Sequence, residues 1–174
     1  MRRPVVSAIA CASVLPTATA LPITASAAPA ESFLDSYLIP AQARYLALSV
    51  EDHSSQEGAP AELAPPAHLT EQQWELSEND ITHLENVATG KCLQFTAPRG
   101  EPSRRLVQIT CDYHSPQTWY YVAADDHFDT WRLENAASHT CIATPDLRPG
   151  GRLVEEACDE DDPNQRWTAV EAED

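Results

Sequence analysis

Three tripeptides of the form Gln-x-Trp punctuate this 174-residue chain: Gln72-Gln73-Trp74, Gln117-Thr118-Trp119 and Gln165-Arg166-Trp167. Their tryptophans lie 45 and 48 residues apart. A pattern that returns at a nearly constant period marks one structural unit used repeatedly, and such units must pack on each other because none buries its apolar face alone. The segments upstream repeat as well. Leu84-Glu85-Asn86-Val87-Ala88-Thr89-Gly90-Lys91-Cys92-Leu93 aligns with Leu133-Glu134-Asn135-Ala136-Ala137-Ser138-His139-Thr140-Cys141-Ile142, each with Cys eight positions after Leu. On the same ruler Tyr37 falls opposite the leucines and Tyr45-Leu46 opposite Cys-Leu and Cys-Ile, so the first repeat is present but degenerate.

Between the anchors run short alternating stretches: Ile81 to Val87, Cys92 to Phe95, Leu106 to Ile109, Trp119 to Val122, Trp131 to Leu133, Leu153 to Ala157 and Arg166 to Val170. Bounded by Pro, Gly, Asp and Asn, they read as strands joined by turns, and the domain as all-β. Ala41 to Val50 has Ala/Leu content that suits a helix, but its alignment with the strand around Cys92 assigns it to a strand. Ser54 to Pro66, rich in Ser, Gly, Ala and Pro, is expected to be a long irregular excursion in the first repeat. Three such β-repeats pack around a common axis.

The repeats begin near residue 31, and what precedes them reads differently. Arg2 and Arg3 form a positive start, Pro4 to about Leu21 is apolar and uncharged, and Ala25-Ser26-Ala27 supplies small residues at a cleavage position. Residues 1–28 are therefore predicted to be a secretory signal peptide, with the cut between Ala27 and Ala30 left open. A membrane span is disfavoured because Pro16 and Pro22 interrupt the stretch. Removing it takes away Cys11 of the five cysteines and leaves four, an even set that in an oxidising compartment forms two disulfides. Cys92 to Cys111 and Cys141 to Cys158 span 19 and 17 residues, which favours bridges within each repeat among the three possible pairings. The first repeat, with Tyr45 where the first Cys belongs and Pro65-Pro66 near the second, is expected to be held by packing alone. Nine basic residues then face 27 acidic ones, a formal −18. So acidic a chain, with Lys91 its single lysine, excludes nucleic acid and anionic membrane as partners. No second apolar stretch of membrane length exists, so a protein without membrane insertion, secreted outside the cell, is expected.

Three Gln-x-Trp tripeptides, each following a strand pair with Cys or a Cys-equivalent, resemble the ricin B-type (R-type) lectin family. The resemblance implies a β-trefoil of three pseudo-symmetric lobes over 31–174, with approximate lobes 31–78, 79–125 and 126–174. It implies that Trp74, Trp119 and Trp167 point inward near the axis and that Gln72, Gln117 and Gln165 tie loop backbone groups. In the sugar-binding lobes of that family an Asp two residues after the first Cys accepts sugar hydroxyls, an aromatic two before the second Cys stacks on the ring, and an Asn adjoins the Gln. Here the Asp position holds Ala47, Gln94 and Ala143; the aromatic position holds Ile109 and Glu156; the Asn position holds Glu71, Pro116 and Asn164. No lobe has the full set. The implied carbohydrate-binding residues are Gln94, Tyr113 and Gln117 in lobe two, and Asn164 and Gln165 in lobe three.

Other clusters invite blander explanations. Asp159-Glu160-Asp161-Asp162 lacks the glycine and spacing of a calcium loop and reads as a solvated turn. Asp125, Asp126, His127 and Asp129 read as a surface turn, and His53, His68, His83 and His139 lack paired Cys/His spacing, so no metal or other cofactor is expected. Asp112, His114 and Ser115 are too close in sequence to form a triad, and no enzyme activity is expected. The function implied is a secreted carbohydrate-binding protein with weakened or atypical sugar sites and a glycan partner. The alternative is a trefoil without sugar binding that serves as a protein-interaction, toxin-accessory or structural subunit.

Overall fold

The computed structural model describes residues 33–77, 81–97, 104–127 and 129–172. The segment assigned to a signal peptide lies outside them. The described residues form fourteen strands and no α-helix. The first lobe contains β1 (Phe33–Pro40), β2 (Ala47–Val50), β3 (Ala61–Ala64) and β4 (Trp74–Ser77). The second contains β5 (Ile81–His83), β6 (Glu85–Asn86), β7 (Lys91–Thr96), β8 (Arg105–Thr110) and β9 (Thr118–Ala123). In the third are β10 (Trp131–Asn135), β11 (Thr140–Ala143), β12 (Gly151–Arg152), β13 (Val154–Ala157) and β14 (Trp167–Glu171).

Antiparallel pairing closes a ring: β1 with β4, β4 with β6, β5 with β9, β9 with β10, β10 with β14, and β14 with β1. Closure leaves this barrel without a free edge. Each lobe also sends out a hairpin, β2–β3, β7–β8 and β11–β13. The three hairpins meet through β12–β3, Val154↔Arg105 and the Pro60↔Val107 bridge. The chain is thus the β-trefoil that the resemblance implied.

The threefold repeat is visible atom by atom. Trp74, Trp119 and Trp167 are at most 1% exposed. Their Nε1 groups donate to the carbonyls of Leu48, Leu93 and Ile142 at 3.2, 3.2 and 3.3 Å. A buried indole N–H needs such a partner, and each lobe supplies it from the same hairpin position. Leu38, Leu84 and Leu133 complete equivalent barrel positions in the core. Both within-repeat disulfides are formed, Cys92–Cys111 and Cys141–Cys158.

The tryptophan bonds also correct the alignment of the first repeat. Leu48 takes the place of Leu93 and Ile142, so Ala47, not Tyr45, stands where Cys92 and Cys141 stand. Trp74 faces Asn86, Trp119 faces Asn135 and Trp167 faces Pro40, which makes Leu38, not Tyr37, the counterpart of Leu84. The turn after Pro40 carries one extra residue. In the other lobes the side chain of Asn86 or Asn135 accepts bonds from the turn amides that follow it, and Pro40 has no such side chain. Residues 41–46 are accordingly a turn, and the strand starts at Ala47.

The excursion from Ser54 to Pro66 also differs from expectation. Ala61 and Leu63 are buried within β3, and small alanines gave that strand too weak an alternation to stand out. The residues ahead of it lie against β8. Gln108, wholly buried, donates to the carbonyls of Ser54 and Gln56, Gly58 donates to the Gln108 carbonyl, and the Glu57 carboxylate accepts from the Thr110 amide and hydroxyl. Lobe one is therefore fastened by a polar seam to lobe two as well as by packing.

Candidate functional site

In lobe two the short 3-10 turn Ser115–Gln117 delivers Gln117 into the base of the hairpin, where it is 1% exposed. Its Nε2 donates to the Thr110 carbonyl at 3.0 Å and to Gln94 Oε1 at 3.3 Å. Its Oε1 accepts from the amides of Asp112 and Tyr113 at 2.8 and 3.1 Å. Gln72 does the same work in lobe one, accepting from Ala67 and donating to the Pro65 carbonyl. Gln165 repeats it in lobe three, accepting from Asp159 and donating to the Ala157 carbonyl. All three amides clamp the loop that follows the hairpin, the anchoring role that the resemblance implied.

Gln117 is thus brought against Gln94 of β7, which is half-buried opposite Val107. Tyr113 joins them through its backbone. Its backbone is left-handed, with a φ of 57°, and the residue is 60% exposed, its ring edge-on to His83 at 5.1 Å. The Tyr113 hydroxyl donates to Glu85 at 3.4 Å, and the Glu85 charge raises its pKa. Asp112 accepts from the His114 amide, so it shapes the turn. Beneath this surface Glu75 and Glu85 face each other across β4 and β6; burial first, then the charges of Glu85 and Asp35, raise the Glu75 pKa.

In lobe three, Asn164 precedes the buried Gln165, and its backbone carbonyl accepts from the Thr144 amide and hydroxyl, both at 2.9 Å. Gln42 of lobe one donates to its side-chain Oδ1 at 3.2 Å. The acidic loop beside it builds turns: Asp159 accepts from the Asp161 amide and Asp162 from the Asn164 amide. In lobe one the corrected register puts Ser49, not Ala47, at the position of Gln94, facing Glu62. Ser49 Oγ is buried and makes no hydrogen bond.

Asp125 is likewise a turn builder. It accepts from the amides of His127, Asp129 and Thr130 and from the Thr130 hydroxyl. The Thr130 hydroxyl first, then the backbone amides, lower its pKa to about 2. Because the folded value lies below the ordinary carboxylate value of 3.8, the stabilisation is complete above that pH and disappears as pH falls through about 2. Asp125→Asn is expected to lower the urea midpoint at pH 7 and to differ less and less from the parent between pH 4 and pH 2, a trend that unfolding curves at stepped pH will show.

Among the described residues one His/Cys/Asp/Glu grouping converges, Glu85 with Cys92 and Cys111, and its sulfurs are bonded to each other rather than available as thiolates. Where the three hairpins meet, a cleft of about 560 Å³ is lined by Glu51, Glu62, Arg105, Asp146, Arg148 and Arg152. Burial first, then Glu51 and Asp52, raise the Glu62 pKa. Arg148 pairs with Asp146 at 2.7 Å. Gly150 belongs to the lining, and at the next position only glycine fits, since a Cβ on Gly151 would lie 2.0 Å from the Asp146 carbonyl oxygen. Sequence reasoning missed this cleft because its walls come from three lobes, with Arg105 far from Arg148 and Arg152 along the chain. No helix among the described residues is long and apolar enough to cross a membrane.

Residues 70–148 match the family model described as ricin-type beta-trefoil lectin domain-like. No curated protein sequence matches the chain. Among solved structures, the designed threefold-symmetric protein ThreeFoil superposes with a TM-score of 0.69 at 20% identity, covering 79% of this chain and 98% of its own. A mosquitocidal holotoxin gives a TM-score of 0.71 at 13% identity; the match covers 83% of this chain but spans only 17% of that one. The Macrolepiota procera ricin B-like lectin in complex with lactose gives a TM-score of 0.64 at 15% identity, covering 83% of this chain and 99% of that one. The three-lobed barrel, its repeated tryptophan and glutamine clamps and the match over residues 70–148 together establish a β-trefoil that resembles the ricin B-type lectin family.

Proposed function

We propose that this chain is a secreted carbohydrate-binding protein that performs no chemistry on its ligand and binds it through an atypical site in lobe two. The amide pair of Gln94 and Gln117 carries this reading. Gln94 occupies the position where the resembled family places an aspartate, and an amide offers both a donor and an acceptor to a pair of sugar hydroxyls. A neutral acceptor forms weaker bonds than a carboxylate, by about 1 kcal/mol or more per pair, so affinity in the millimolar range follows. The Macrolepiota lectin that shares the fold binds lactose, which makes a neutral galactoside the first ligand to try. Two disulfides suit an oxidising, extracellular setting.

Titration with lactose and with xylose- and arabinose-type oligomers, followed by amide chemical shifts, tests the reading. Shifts are expected around Gln94 and Tyr113, and Gln94→Ala is expected to weaken binding about fivefold to tenfold. Silence across all the saccharides would overturn the proposal.

A further inference from the structure

The cleft where the three hairpins meet gathers charge that the fold leaves uncommitted. Arg152 of β12 and Glu62 of β3 stand directly opposite each other in an antiparallel pair, and both line the cleft. Opposite charges in that relation ordinarily attract each other across the strands. Here they form no ion pair, and the exposed Arg152 guanidinium has no hydrogen-bond or ion-pair partner among the described residues. Arg105 reaches the same space from lobe two. The lobe-three wall is fixed by its backbone: the Arg148 amide donates to the Asp146 carbonyl, the Gly151 amide to the Arg148 carbonyl and the Gly150 amide to the Leu63 carbonyl of lobe one, at 2.9, 2.8 and 2.8 Å.

Arg148 is already paired with Asp146, which leaves Arg105 and Arg152 against Glu51 and Glu62, two charges of each sign in one cleft. A ligand that satisfies both must carry an anionic group for the arginines and hydrogen-bond donors for the carboxylates. A guanidinium fork matches the two oxygens of a carboxylate, and a carboxylate side chain accepts from hydroxyls but donates nothing. A hexuronate residue offers the carboxylate and the hydroxyls on one ring, and Pro60, Pro145 and Leu153 give its C–H face an apolar wall. A neutral sugar leaves the arginines unused, and an inorganic anion brings no hydroxyl row to Glu51 and Glu62. The volume of about 560 Å³ lies within the ~300–1,000 Å³ typical of small-molecule sites. In a chain of formal charge −16 the long-range field repels an anion, so the local guanidinium contacts must hold it.

We propose that this cleft is an acidic-saccharide site, in which Arg152 and Arg105 take the carboxylate of a hexuronate residue and Glu62 and Glu51 accept from its hydroxyls. It rests on the reading of the chain as a carbohydrate binder, but not on the lobe-two site, with which it shares no residue. None of its residues lies in the loops clamped by Gln72, Gln117 and Gln165.

Amide shifts of the intact protein titrated at pH 7 with digalacturonate, its neutral methyl ester and lactose report the two sites separately. Digalacturonate is expected to move Glu62, Gly150 and Arg152, while lactose moves Gln94 and Tyr113. The ester is expected to bind the cleft about tenfold more weakly than the acid. Arg152→Ala is expected to weaken the acid response about tenfold and leave the lactose response unchanged, and Arg152→Lys, which keeps the charge and loses the fork, about threefold. The ester comparison needs no variant and so stands however Arg152→Ala folds. Equal response to acid and ester, an acid response unaltered by Arg152→Ala, or saccharide shifts confined to lobe two would overturn the cleft site and leave the carbohydrate reading intact. Silence everywhere overturns both.

Discussion

Trp119→Ala is expected to lower the unfolding free energy by about 3–5 kcal/mol, a large share of the roughly 5–15 kcal/mol that holds a domain together. The ring is fully buried and touches Phe95 edge-on at 5.4 Å, so its removal leaves a cavity in the barrel interior that neighbouring strands, paired on both sides, cannot close. The Leu93 carbonyl loses its donor at the same time, an added cost for a buried acceptor. Trp74→Ala and Trp167→Ala remove rings in equivalent surroundings and are expected to cost the same within about 1 kcal/mol. Urea midpoints of the three variants check this directly. A loss under about 1 kcal/mol at any one of them would show that its ring is not part of a shared core.

The tryptophans announced the fold because their role demands large, fixed residues at one place in each repeat, and sequence spacing preserves such places. Cys92 and Cys141 did the same for the hairpins of lobes two and three. Lobe one has neither signal at its hairpin, and there the ruler slipped: it set Tyr45 opposite Cys92, whereas Ala47 takes that place once the turn absorbs an extra residue. The β3 strand was missed for a related reason. Ala61 and Ala64 are small because β3 sits against another hairpin, and small residues do not alternate visibly with polar ones.

At the site, one-dimensional reading placed Gln94 beside Gln117 because both positions are counted from fixed anchors, a cysteine and a tryptophan. Where the Tyr113 ring points is decided by a left-handed backbone and by His83 on another strand, which spacing does not record. The acidic runs held carboxylates that accept from amides a few residues away, so they are local turn chemistry. The charged cleft needs three lobes to be brought together. Pro40 was the one hint of the longer turn in lobe one, an exception to asparagine at Asn86 and Asn135 that carries meaning only when the three turns are superposed.

Replacing Cys92 and Cys111 together by alanine is expected to cost about 3 kcal/mol, and the Cys141/Cys158 pair nearly the same. Each bridge closes a loop of 19 or 17 residues, and loop closure of that size removes comparable entropy from the unfolded chain. Because the effect acts on the unfolded state, the folded hairpins should survive. The backbone at position 92 still pairs with Ile109 through the β7–β8 ladder, and Gln117 still clamps the following loop through the amides of Asp112 and Tyr113. Amide spectra of the variants should therefore match the parent in the native state while the urea midpoints fall. The two losses should add to about 6 kcal/mol in the quadruple variant, since the bridges lie in different lobes and share no partner. A fall of under 1 kcal/mol for either pair, or a native spectrum disturbed throughout its lobe, would mean that the bridge holds the folded hairpin together. Lobe one supplies the internal comparison: with Ala47 and Pro66 where the cysteines would be, it is secured by Gln108 of lobe two reaching across to it and by its own Glu57 reaching back to Thr110. If polar docking replaces a covalent tie there, removing the tie in lobe two or three costs stability without costing the fold.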